Sequence, residues 1–137
     1  MWRELADELG LTSVDPASEE DIAAAEAAVG CKLPHDLRGL LTETDGLGDG
    51  LVLSASDIAR TNHEMRTTED FATLYMPFEP LLLFGAEGDG NLYGFRILAG
   101  DAKPDDVFVW DHETDSRTAT AFGLERHIRG ERWHAGE

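Results

Sequence analysis

The segment Gly30–Pro34 constrains this chain more than any other, because it forces two helices to meet at a fixed reversal. Glycine accepts the left-handed backbone that ends a helix, and proline fixes its own φ while holding Leu33 extended, so the chain must turn between Cys31 and His35. Upstream, Ser18 precedes Asp21 by three residues. At that spacing a hydroxyl caps the free N–H groups of a first helical turn and an acidic side chain answers it. Ile22, Ala25, Glu26 and Val29 then recur at helical intervals, and Ala23, Ala24, Ala27 and Ala28 add propensity with little bulk. The pattern predicts a helix from Ser18 to Gly30. Downstream, Pro34 and Asp36 suit a first turn, Leu37, Leu40 and Leu41 form an apolar stripe, and Asp45-Gly46 marks the end of a second helix. Glu26 stands on an apolar face where a solvent-facing carboxylate has no reason to be. It is expected to accept hydrogen bonds from backbone N–H groups of a neighbouring turn.

The flanking sequence supplies the other elements. Trp2, Leu5 and Leu9 share a helical face before Gly10. Gly46, Gly48 and Gly50 punctuate a loop, and Leu51–Leu53 reads as a short buried strand. Ser54 or Ser56 caps a helix that runs from Ala55 to about Leu74, with Ile58, Met65, Phe71 and Leu74 as its apolar marks. Leu81–Phe84 is a strand apolar on both faces, Gly85 to Asn91 a glycine-rich turn, and Leu92–Leu98 the return strand, with Tyr93, Phe95 and Ile97 on one side. Gly100 to Asp106, containing Pro104, reads as a loop. Val107–Trp110 and Arg117–Ala121 read as strands around a turn at Asp111–Ser116, and Phe122 to Trp133 as a closing helix carrying Arg126, Arg129 and Arg132 toward its end. Helices first, then a mostly antiparallel sheet, then a closing helix describe an α+β fold, and 137 residues with no internal repeat or linker read as one domain, 1–137.

Charge narrows the partners. The chain carries 28 acidic residues against 11 basic ones, a net −17. Such a surface repels phosphate backbones and anionic headgroups, which argues against direct nucleic-acid or membrane binding and favours a basic protein as partner. The same charge also serves plain solubility. Cys31 has no second cysteine to pair with and reads as a buried hydrophobe in a reducing compartment. The opening residues mix Arg3 with Glu4, Asp7 and Glu8 and resemble no secretory signal, and Leu81–Phe84 is too short to span a bilayer. A cytoplasmic location is expected.

Each pattern that could carry chemistry fails at a required position. His63-Glu64 and His112-Glu113 begin a zinc-protease helix, but Thr67 and Ser116 stand where the second histidine belongs. Gly88-Asp89-Gly90 begins a dinucleotide fingerprint, yet Tyr93 replaces the third glycine and a strand follows. Asp111, Glu113 and Asp115 alternate like calcium-loop ligands, but Ser116 holds the sixth position, which needs glycine. Cys31 and His35 are explained by the helix-ending turn, and Tyr93 and Trp110 by burial. No catalytic residue, metal or cofactor is expected. An unrecognised hydrolase built on His112 with Asp111, Glu113 and Asp115 is the weakest alternative.

With these features in place, the order of Glu26, Gly30, Leu33, Pro34, Leu37, Leu40, Leu41, Asp45 and Gly46 resembles the signature of the SMI1/KNR4 (SUKH) family. The stretch LLLFGAEGDGNLYGFRI resembles that family's central strand, glycine turn and following strand, and VFVWDHETDSRTATAF its closing hairpin. The resemblance implies an α+β binding domain in which Glu26, Gly30, Leu33, Pro34, Gly46, Gly88 and Gly90 are structural. It further implies an immunity role against a toxin, with a regulatory interaction module as the alternative. Because helices and strands turn their apolar faces to the core, acidic loop residues are the expected contacts for a basic toxin domain: Asp49, Glu87, Asp89, Asp111, Glu113 and Asp115.

Overall fold

In the computed structural model, which describes residues 1–131, four helices lead into a shorter fifth, a four-stranded sheet and a closing turn of helix. These are α1 Trp2–Leu9, α2 Glu19–Val29, α3 His35–Glu43, α4 Ala55–Thr67, α5 Glu69–Leu74, β1 Leu81–Ala86, β2 Leu92–Leu98, β3 Asp101–Trp110, β4 Arg117–Ala121 and α6 Leu124–Ile128. The Ser18 hydroxyl accepts the Asp21 N–H at 3.1 Å, and Gly30 ends α2 at φ 77°. Pro34 then caps α3, whose Leu37, Leu40 and Leu41 are buried.

The sheet is an antiparallel meander in the order β1-β2-β3-β4. Alternation along β1 divides the apolar side chains between its two faces. Leu82 and Phe84, with Tyr93, Phe95, Val107 and Ala121, meet the residues that α1 to α4 and α6 bury. Leu81 and Leu83 turn the other way, onto Phe78 and Trp110, with Met65, Phe71 and Tyr75 packed beside them. Trp110 and Tyr93 are thus core residues, 4% and 3% exposed.

Several boundaries differ from the sequence reading. Leu51–Leu53 forms no strand: Val52 makes a single bridge to Leu47, and Leu53 N–H donates to the Phe84 carbonyl at 2.8 Å. Gly85 belongs to β1 and not to the turn, and the Leu51 carbonyl lies where its Cβ would be. The expected long helix is two, because Thr68 adopts φ −70°, ψ 116° between α4 and α5. The hydroxyls of Thr67 and Thr68 donate to the carbonyls of His63 and Glu64 at 2.7 and 2.6 Å, an alternative to continued helical bonding.

The expected loop before Val107 is instead the start of β3. Lys103 pairs with Arg96 and Phe108 with Gly94, so β3 advances five residues while β2 advances two. Pro104, which has no N–H to give a ladder, falls in this bulge. The closing helix is shorter than expected. Phe122 precedes it at 54% exposure, and it ends before Gly130 at φ 80°. Arg132 and Trp133 lie outside the described residues.

Candidate functional site

Two motif carboxylates close gaps in the backbone. Glu26 Oε2 accepts the Leu33 N–H at 2.9 Å, so the side chain of α2 holds the extended residue before Pro34. Asp45 Oδ1 accepts the Ala55 N–H at 2.7 Å while the Ser54 hydroxyl accepts the Asp57 N–H at 3.1 Å, and together they satisfy the first turn of α4. Buried Thr44 completes the junction: its hydroxyl donates to the Gly46 carbonyl and accepts the Val14 N–H, both at 2.8 Å. Gly46, Gly88 and Gly90 all have positive φ, and Leu33 and Pro34 are buried.

The acidic loop residues divide into two sets. An antiparallel meander puts the β1–β2 and β3–β4 turns at the same end of the sheet, and the Gly46–Leu51 loop joins them because Ala86 N–H donates to the Gly50 carbonyl at 2.8 Å. Asp49, Glu87 and Asp89 therefore line one shallow depression, together with Leu51, Ala86 and Tyr93. All three carboxylates are exposed. Glu87 is oriented by the Tyr93 hydroxyl at 2.6 Å, and Asp89 turns the chain by accepting the Asn91 N–H at 3.0 Å. The neighbouring turn is fastened to this one through Asn91. Its Oδ1 accepts the His112 backbone N–H at 3.1 Å and lies 2.7 Å from His112 Nδ1, which therefore carries the hydrogen. Glu113 is exposed on that second turn, and half-buried Asp111 accepts the Glu113 N–H at 2.9 Å.

Asp115 is turned inward. Its carboxylate accepts from Trp110 Nε1 at 2.8 Å, Met76 N–H at 2.8 Å and Arg117 at 3.2 Å. Burial alone would raise its pKa, but these donors and the Arg117 charge together hold it below the usual aspartate value. Its φ of 60° and 15% side-chain exposure belong to the same locked turn. The arrangement imagined for a hydrolase is thus divided, with Asp115 engaged by Trp110 and Arg117 and His112 by Asn91. Among the described residues no group of three or more His, Cys, Asp or Glu side chains is placed to hold a metal ion. Cys31 is half-buried against the core, and burial pushes its thiol pKa up.

Three residues with large structural roles carried no local signal. Asn62, 1% exposed, donates to the Leu83 carbonyl at 2.8 Å and accepts the Leu83 N–H at 2.9 Å, completing the outer edge of β1 with a side chain. Arg66 donates to the carbonyls of Ala28 and Leu81 at 3.2 and 3.0 Å. Arg117 grips the carbonyls of Pro77 and Met76 at 2.6 and 2.7 Å. In each case the partner is at least 15 residues away, and no spacing rule reaches that far.

Helices packed mainly on one face of a four-stranded meander with α5 against the other, carboxylates engaged by backbone at the helix junctions, and exposed carboxylates gathered at one end define the class as a small α+β domain with an acidic surface tip. The chain belongs to the SMI1 / KNR4 family (SUKH-1), whose model matches residues 16–126. No curated protein matches it. No helix among the described residues is long and apolar enough to cross a membrane.

Proposed function

We propose that this protein is a non-catalytic binding domain that neutralises a basic toxin domain, in the manner of an immunity protein acting in the cytoplasm. The observation that carries this reading is the gathering of Asp49, Glu87 and Asp89 in one depression, with Glu113 on the turn fastened beside it. In a chain of net charge −17, carboxylates held on anchored turns create a local field that attracts a cationic surface before contact and covers it afterwards. Mechanism is then steric and electrostatic: a nuclease groove occupied by these turns is closed to its own polyanionic substrate. Family membership supports a binding role, since the SUKH resemblance implies immunity functions among its members.

The test begins with the reading frames beside the gene. A neighbouring toxin domain, purified with this protein, is expected to bind it with an association rate that falls steeply as salt rises, while dissociation changes little. Glu87→Gln combined with Asp89→Asn should slow association several-fold. Tight binding whose association rate ignores salt would remove the electrostatic part, and the absence of any inhibited neighbour would favour the regulatory-module alternative.

A further inference from the structure

The dipeptide Asp-Gly occurs three times, at Asp45-Gly46, Asp49-Gly50 and Asp89-Gly90, and the fold holds the three copies differently. An Asp-Gly bond is prone to rearrange without any enzyme, because glycine has no side chain to shield its nitrogen or restrict its backbone. The glycine nitrogen attacks Cγ of the protonated aspartate side chain, and an N–Cγ bond forms. The Cγ–OH bond breaks, and the hydroxyl leaves as water with the amide hydrogen. Water then adds to one of the two carbonyls of the five-membered imide. Opening at Cγ restores aspartate, whereas opening at the original main-chain carbonyl routes the chain through Cγ and leaves isoaspartate. One water is lost and one is gained, and nothing is oxidised or reduced.

Ring closure needs a carboxyl group able to swing and an amide nitrogen able to meet it. At Asp45-Gly46 both are held. Asp45 Oδ1 accepts the Ala55 N–H at 2.7 Å, the Gly46 N–H donates to the Thr44 carbonyl at 2.8 Å, and the Val52 carbonyl lies 2.9 Å from where a Gly46 Cβ would be. At Asp89-Gly90 the carboxylate is held: Asp89 Oδ1 accepts the Asn91 N–H at 3.0 Å, and the His112 ring lies against Gly90. Asp49-Gly50 has neither restraint. Asp49 is exposed, and among the described residues no hydrogen bond engages its carboxylate or the Gly50 N–H. The nearest neighbour of a Gly50 Cβ position is the end of the Leu53 side chain, at 3.7 Å. We infer that Asp49-Gly50 is a site of spontaneous covalent modification, at which aspartate converts to isoaspartate, while the fold protects Asp45 and slows Asp89. The change reaches beyond one residue. The Gly50 carbonyl accepts the Ala86 N–H, so an added main-chain carbon shifts the loop against β1 and shortens the stalk of one carboxylate in the depression. The inference does not depend on the binding role proposed above.

The experiment incubates the whole protein in neutral buffer at body temperature for several weeks and locates isoaspartate by electron-transfer fragmentation of its proteolytic peptides. The same chain kept unfolded in guanidinium chloride reports the chemistry without the fold. Unfolded, the three positions should convert at comparable rates. Folded, Asp49 should convert first, Asp89 about tenfold more slowly and Asp45 slowest, since each bond to a charged group that must break before closure holds it back by about that factor. Asp49→Glu keeps the charge but would have to close a six-membered ring. It should abolish the modification at this position and leave the rate at Asp89 unchanged. Equal rates at the three positions of the folded protein, a lead by Asp89 or Asp45, or an Asp49 that stays intact would each overturn the inference. Isoaspartate forming at the parental rate in the corresponding peptide of Asp49→Glu would do the same.

Discussion

The two outer strands of the sheet end the same ladder in opposite ways. Along β1 the outward backbone groups are taken up by the rest of the protein: Asn62 bonds both polar groups of Leu83, Leu53 N–H reaches the Phe84 carbonyl, Arg66 reaches Leu81, and Gly50 accepts from Ala86. Along β4, among the described residues, nothing bonds the backbone on the side away from β3. β1 is protected by specific partners and β4 by composition, being four residues of threonine and alanine behind an arginine. An edge buried under helices must satisfy every group, whereas a short polar edge in water needs no cover.

The sharpest way to break this comparison is Asn62→Leu. It leaves the Leu83 N–H and carbonyl buried without partners, at a cost of about 3 kcal/mol in urea unfolding, given roughly 1–3 kcal/mol per orphaned buried group. A loss below about 1 kcal/mol would mean that water reaches the β1 edge.

Next comes Asp115→Asn, which removes the charge that holds the turn into β4. The expected loss is about 1–2 kcal/mol near neutral pH, by the worth of hydrogen bonds to charged groups. The sign follows from linkage: the folded-state pKa is depressed, so the carboxylate's contribution is present above the ordinary aspartate pKa. It is lost as pH falls through the depressed value. The variant should therefore unfold with a shallower acid dependence than the parent, and identical acid profiles would show that Asp115 does not carry this stability.

The smallest effect belongs to the open edge. Thr118→Lys on β4 should change stability by less than about 0.5 kcal/mol, as exposed substitutions away from special features do. Hydrogen exchange offers a parallel test, since the Leu83 amide should exchange far more slowly than alternate amides of β4. Comparable protection at the two edges would mean that β4 is covered after all.

The same contrast explains what the sequence reveals. Gly30, Pro34, Ser18 and the leucines of α3 act on residues within one or two turns, so helix limits and the α+β order are legible from spacing alone. Even the need of Glu26 for a backbone donor follows from its place on an apolar face. Asn62 gives no such warning, because its partner lies 21 residues away and its side chain is ordinary for a helix surface. The Thr68 break and the β3 bulge were hidden for a related reason. Threonine tolerates helix, and Pro104 suits a loop as well as a bulge, so only the packed neighbours choose. At the acidic tip, residue type indicated Asp49, Glu87, Asp89, Asp111 and Glu113 as loop carboxylates, but it placed Asp115 in the same group. What separates Asp115 is Trp110 Nε1 and Arg117, contacts that depend on which way the turn closes.

The joint between Asn91 and His112 has a consequence for inheritance of change. One amide oxygen serves two donors on another turn, so neither turn can lengthen or reshape without releasing the other. Substitutions in the two turns should then be strongly non-additive, and lineages that diversify one of them should show compensating replacements in the other, as though the pair were a single variable cassette.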